Sequence, residues 1–350
     1  MKIITKIVSK IGWVVLPILL FLFSCNKEDD ITDVDNINEI KIPENFPDPV
    51  YNYDNNPYTN NGFELGRKLF YDKNLSADKK ISCASCHRQS FAFSDPGNAV
   101  SQGVEGREGR RNSPAMFNLL WHESFMWDGG VNHIEVMPLA PLQEPDEMDM
   151  SLNEILSYLN ENNEYSNLFK NVFDTTEISS QQLLFALTQF MGALVSSNSK
   201  YDKVQNGEES FNSEEFKGYN LFKDNCVQCH TEPLFTDNQF HNNGLDNTFN
   251  TDDLGRFEIT QNPNDSAKFK TPSIRNIALT YPYMHDGRFS SLEEVIEFYS
   301  SGISSSSSLD ENLPVGGFDF TSKEKQALLS FLNTLTDWDF VYDIRFSDPN

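Results

Sequence analysis

The chain is poor in cysteine, histidine and positive charge. Its 350 residues hold five cysteines and six histidines, and 27 lysines and arginines face 52 acidic residues. Five cysteines are too few for a disulfide scaffold. The cation deficit, a net charge of −25, excludes nucleic acid as a partner, because phosphate binding rests on Lys and Arg. Strand signals are sparse and short, which argues against a sandwich or barrel. No apolar run reaches the roughly 20 residues of a membrane-spanning helix. Ile11 to Phe23 comes nearest, interrupted by Gly12 and Pro17.

The scarce cysteine is concentrated. Cys83-Ala84-Ser85-Cys86-His87 and Cys226-Val227-Gln228-Cys229-His230 use four of the five. This pattern reads as attachment of a c-type haem: each thiol forms a thioether to one vinyl group, and the His reaches the iron from one face. Zinc binding and thiol redox chemistry also use Cys-x-x-Cys. Two copies that each end in His point instead to two covalently bound haems.

Cys25, the fifth, closes a leader. Lys2, Lys6 and Lys10 precede the apolar run, as in an export signal. Leu22-Phe23-Ser24-Cys25 resembles a bacterial lipoprotein box with Cys25 as the lipidated first residue. Residues 1–24 are thus expected to be a lipoprotein signal peptide, and 25–45 a polar, acidic tether. Plain secretion with Cys25 as a spare thiol is the alternative. The expected location is outside the cytoplasm, lipid-anchored at the periplasmic face or the outer-membrane surface, with no other membrane contact. Without the three leader lysines the balance is 24 basic against 52 acidic residues, or −28, which favours a basic protein partner.

The rest of the chain repeats itself. Gly66-Arg67-Lys68-Leu69-Phe70-Tyr71-Asp72 precedes the first motif and Gly218-Tyr219-Asn220-Leu221-Phe222-Lys223-Asp224 the second. Downstream, Ser113-Pro114 through Met126-Trp127-Asp128-Gly129 matches Thr271-Pro272 through Met284-His285-Asp286-Gly287 at a constant offset, with Asn118 and Asn276 in register. An internal duplication follows, with one haem in each of two domains, 46–203 and 204–345. Asn61 with Glu64 and Asn212 with Glu215 offer capping boxes ahead of each motif, and Thr321 with Glu324 caps a last helix through Leu335. Leu183, Leu184, Leu187, Met191 and Leu194 form a helical stripe within 180–195. The fold expected is mainly α: two cytochrome-c-like haem domains, loop-rich, with helices wrapped around the cofactors. The serine run 304–308 reads as a flexible surface loop.

The two motifs, Arg111-Asn112-Ser113-Pro114, Phe125-Met126-Trp127-Asp128-Gly129 and Tyr283-Met284-His285-Asp286-Gly287 together resemble the bacterial di-haem cytochrome c peroxidase and MauG family, from about Pro47 to Trp338. The resemblance implies that the N-terminal haem, with His87 as iron ligand, meets peroxide, and that the C-terminal haem, with His230, passes electrons to it. It also implies that Trp127 lies between them and that a calcium ion is held by the Asn112 side chain and the Thr280 and Pro282 carbonyls, donors that suit a hard cation. A homodimer is implied as well. Glu147 matches the catalytic glutamate that moves a proton during peroxide cleavage; Glu144 and Asp146 are its local competitors.

Three positions depart from the common pattern. Val104 stands where many members carry a histidine on the first iron, so that iron is expected to keep an open face. Tyr299 stands where peroxidases place a methionine ligand and MauG a tyrosine; Met284 is the competing ligand. Met137 replaces a glutamine of the peroxide pocket. His122, His133 and His285 are expected near the haems without a catalytic role, His241 in a loop, and Arg256 and Arg275 on haem propionates or in surface salt bridges. The expected function is reduction of hydrogen peroxide with electrons from a small redox protein, a cytochrome c or a cupredoxin. The alternatives are a MauG-like oxidase of a protein or small molecule, and a di-haem electron carrier.

Overall fold

The computed structural model describes residues 39–246 and 253–349. The leader, Cys25 and most of the tether lie outside them. Among the described residues, seven helices reach ten residues: α1 (Asn60–Tyr71), α2 (Leu152–Glu161), α3 (Asn163–Phe173), α4 (Ser180–Gly192), α5 (Ser213–Asn225), α6 (Leu292–Ser301) and α7 (Ser322–Asn333). The strands among them are β1 (Phe240–His241) and β2 (Phe269–Lys270), an antiparallel pair with Phe240 opposite Lys270. The mainly helical expectation is met, and no helix here is long and apolar enough to cross a membrane.

Caps set most of the helix starts. Asn212 caps α5 with Glu215 reciprocating, and Thr321 with Glu324 does the same for α7, as the sequence predicts. α1 differs. Thr59 is its cap, its hydroxyl accepting from the Gly62 N–H at 3.0 Å, so Asn61 lies inside the first turn instead of before it. α4 begins after Ser179, which pairs with Gln182, and stops at Gly192, three residues short of Val195.

Two helix pairs organise the cores. α1 packs on α4, where Phe63 and Phe70 surround Phe190 with ring centroids 5.6 and 5.0 Å away. α5 packs on α7, with Phe222 5.1 Å from Phe331. Each such buried aromatic contributes roughly 1.5–3 kcal/mol of burial. A glycine sits at each crossing. A Cβ on Gly66 would lie 2.0 Å from the Ala186 carbonyl oxygen, and one on Gly218 1.9 Å from that of Ala327. The third close atom is a phenylalanine Cβ in both, Phe190 or Phe331. Near the C-terminus Phe340, Val341 and Phe346 pack into the first core.

The segments between helices also echo each other. Asn118 and Asn276 both have positive φ, 55° and 56°, as do Met126 and Met284 at 67° and 74°. The two asparagines converge on Ser196: Asn118 Nδ2 donates to its carbonyl at 3.0 Å and Asn276 Nδ2 to its hydroxyl at 2.9 Å. Asp337 completes this buried junction by accepting from Ser196 Oγ at 3.0 Å.

Two expectations need correction. Arg275 is neither a surface residue nor free for a propionate. It is fully buried, and its Nη atoms donate to both Asp202 oxygens at 2.8 and 2.9 Å. The serine run is pinned: Asn242 Nδ2 donates to Ser306 Oγ and Ser308 Oγ at 3.0 and 2.9 Å.

Candidate functional site: a cavity shared by both motifs

The first motif folds as a single helical turn, Cys83–Cys86, with Ser82 and Ser85 forming a capping box. One turn brings side chains three apart to the same face, so both thiols and His87 open onto one cavity. That cavity, about 790 Å³, is lined by both motifs, Cys83, Cys86 and His87 together with Cys226, Cys229 and His230. Its walls are largely apolar, with Met116, Phe117 and Met191 from the first half and Ile274, Val295 and Leu328 from the second.

The two histidines are held alike. His87 Nδ1 lies 3.0 Å from the Phe93 carbonyl and His230 Nδ1 3.2 Å from that of Phe235. A carbonyl only accepts, so Nδ1 carries the proton and Nε2 keeps its lone pair for a metal. Burial pushes His87 down to about 4 and His230 in the same direction, so both rings are neutral ligands at pH 7. Burial likewise pushes the thiols up, Cys86 to about 11 and Cys83, Cys226 and Cys229 to about 12. A redox Cys-x-x-Cys needs the opposite shift. Unpaired neutral thiols beside a neutral imidazole on an apolar wall fit covalently attached haem.

Glu147 lines the cavity, and Ser101 Oγ donates to its Oε1 at 3.2 Å. Burial raises its carboxyl above the usual range, Ser101 opposes this, and Glu144 and Asp146 add to it. Its carbonyl accepts from the Val104 N–H at 2.8 Å, locking the 101–106 loop onto the Glu147 segment. Val104 itself is buried and does not line the cavity; Ser101, Gln102 and Gly103 do. The cavity wall here is thus framed by the loop before Val104, not by the valine. Met137 also lines this wall.

Trp127 lines the cavity, with Nε1 donating to the Asn112 carbonyl at 2.8 Å and its own carbonyl accepting from Lys270 N–H at 2.7 Å. Its ring lies 6.4 Å from that of His285, which stacks on Phe269 at 3.7 Å. Asn112, Thr280 and Pro282 line the same cavity, and Asn112 Nδ2 donates to the Ala99 carbonyl at 3.1 Å. His122 is a wall residue, whereas His133 is exposed beside Tyr51.

At the second motif the two candidate ligands meet around one side chain that sequence reasoning missed. Asn243 Nδ2 lies 3.4 Å from the Tyr299 hydroxyl and 3.6 Å from Met284 Sδ. Burial pushes the Tyr299 phenol up to about 12. His241 is no plain loop residue. It stands in β1 between Asp310, 2.6 Å from Nδ1, and Asp237, 2.8 Å from Nε2, and those carboxylates raise it. Cys229, His241 and Asp310 form a cluster of metal-ligand type, but Cys229 belongs to the haem motif. Arg256 is engaged by the Asp128 and Gly129 carbonyls at 2.9 and 3.0 Å. Arg111, quoted above only as motif, grips Asp253 through two 2.7 Å bonds.

The family model for di-haem cytochrome c peroxidase matches residues 60–210. The methylamine utilization protein MauG of Methylorubrum extorquens is 36% identical over 301 residues, which cover 84% of this chain and 82% of that protein. Cytochrome c551 peroxidase of Nitrosomonas europaea is 33% identical over 277 residues, 78% and 79% of the two chains. A solved MauG-like protein associated with microbial copper homeostasis superposes with a TM-score of 0.80 at 35% identity, covering 89% of this chain and 99% of that one. The chain belongs to the di-haem cytochrome c peroxidase and MauG family, a family of haem oxidoreductases.

Proposed function

We propose that this protein is a di-haem c-type peroxidase that reduces hydrogen peroxide to water with electrons from an external small redox protein, a cytochrome c or a cupredoxin. Cys83 and Cys86 attach the first haem and Cys226 and Cys229 the second. His87 and His230 bind the irons through Nε2. The haems would supply the iron centre and relay the donor's two electrons into H2O2 + 2H+ + 2e− → 2H2O. The observation that carries the reading is Glu147, a carboxyl raised by burial on the wall it shares with the first motif. It takes a proton from one peroxide oxygen and returns it to the other. Trp127, on the wall common to both motifs, carries electrons from the C-terminal to the N-terminal site.

The duplication into domains 46–203 and 204–345 is supported by the matching glycine contacts, paired Asn and Met conformations and equivalent His-carbonyl bonds. Further parts of the reading are a calcium ion held by Asn112, Thr280 and Pro282, lipidation at Cys25 with export to the periplasmic face or outer surface, and a homodimer. Rapid mixing of the haem-loaded protein with peroxide, followed by reduced cytochrome c or cupredoxin, tests the function. Fast peroxide-dependent donor oxidation supports it, and no spectral response to peroxide leaves only an electron carrier.

A second reading, oxidation of a protein or small-molecule substrate in the manner of MauG, is favoured by Tyr299 beside Asn243 at the second site. Tyr299→Phe then abolishes a His/Tyr electronic signature that Met284→Leu leaves intact. The reverse result assigns Met284 as the ligand and favours the peroxidase.

A further inference from the structure

Lys270 is the one charged residue of β2, and it is only 7% exposed. Its backbone N–H is bonded to Trp127, which fixes it beside that residue, and its side chain lines the cavity. Among the described residues Nζ makes no ion pair and no side-chain hydrogen bond. Asp237 and Glu123 act on it only from a distance, and Asp237 is committed to His241. An uncompensated ammonium in an apolar wall is destabilising. Burial pulls Lys270 down only to about 8, so it stays largely charged at neutral pH.

Its surroundings share the deficiency. His122, on the same wall and electrostatically coupled to Lys270, has no hydrogen bond on its ring among the described residues. Two unpaired polar groups, Lys270 and His122, therefore share a cavity wall that is otherwise mostly apolar. Buried polar groups are satisfied in folded proteins, so a ligand group belongs here. Its charge is negative, to match the ammonium, and it must accept hydrogen bonds. A carboxylate meets both conditions.

We propose that Lys270 binds a propionate carboxylate of a haem beside Trp127, as the counter-ion at the junction of the two haem sites. This rests on the reading of the cavity as a di-haem site. A fixed cation favours the reduced, less positive haem and so raises its potential.

The test is potentiometric titration of the full haem-loaded protein and its Lys270→Met and Lys270→Arg variants, after mass measurement has counted attached haems. Fewer than two haems in the unsubstituted protein sinks the di-haem reading, whatever Lys270 does. With two haems present, Lys270→Met lowers the reduced-to-oxidised ratio of one haem about tenfold at fixed potential, equivalent to about 59 mV. Lys270→Arg retains the original midpoints. Unchanged midpoints of both haems in Lys270→Met overturn the proposal. If that variant does not fold, Lys270→Gln, which keeps polarity but not charge, is titrated with the same two outcomes.

Discussion

At the scale of single residues, Glu147 carries the sharpest consequences. Glu147→Gln lowers the peroxide-dependent rate about 10²- to 10⁴-fold, measured by stopped-flow with donor in excess. The carboxylate form is the proton acceptor, and burial raises its pKa, so the acid limb of the rate profile falls above the usual carboxylate range. Stability moves the other way. A carboxyl raised in the folded state is stabilising below its unfolded pKa, and that contribution is lost as pH rises through the folded value. Glu147→Gln therefore melts higher than the unsubstituted protein at pH 7, while the two converge in acid. Thermal melts at both pH values check this. The family resemblance singles out Glu147, and the structure puts it on the cavity wall shared with the first motif. Asn243 and Lys270 were not legible in the sequence, because their roles come from contacts with residues tens of positions away in sequence.

At the scale of elements, the glycine at each helix crossing sets how closely two helices approach. Gly66→Ala and Gly218→Ala each push a methyl group against backbone and destabilise by about 1–3 kcal/mol, read from denaturant midpoints. The two values should be similar, since both glycines meet the same kinds of atom. Arg275→Met strands the Asp202 carboxylate, which is held low against burial by that guanidinium, and destabilises by about 3–5 kcal/mol. α4, α5 and α7 could be read from caps and apolar stripes because those signals are local. The start of α1 was misread because Thr59 and Asn61 both resemble caps, and only backbone conformation separates them. Arg275 was misread because burial of an arginine depends on finding Asp202, 73 positions earlier.

At the scale of the whole molecule, acidity governs the encounter with a donor. A net charge of −25 attracts a basic cytochrome and repels an acidic one. Second-order rates with a basic donor therefore fall as ionic strength rises from 0.01 to roughly 0.15 M, where the screening length shrinks from about 30 to 8 Å. An acidic donor shows the opposite slope.

The shared cavity also dictates an order of manufacture. Apolar side chains from both halves face it, so the cofactors complete the interior just as side chains do elsewhere. Before attachment, the chain lacks that share of its apolar contacts and has weak reason to close. The expected order is therefore attachment on an open chain followed by closure around the haems. A chain with one motif inactivated leaves the common wall incomplete on both sides, so defects in maturation spread across the molecule instead of remaining in one half.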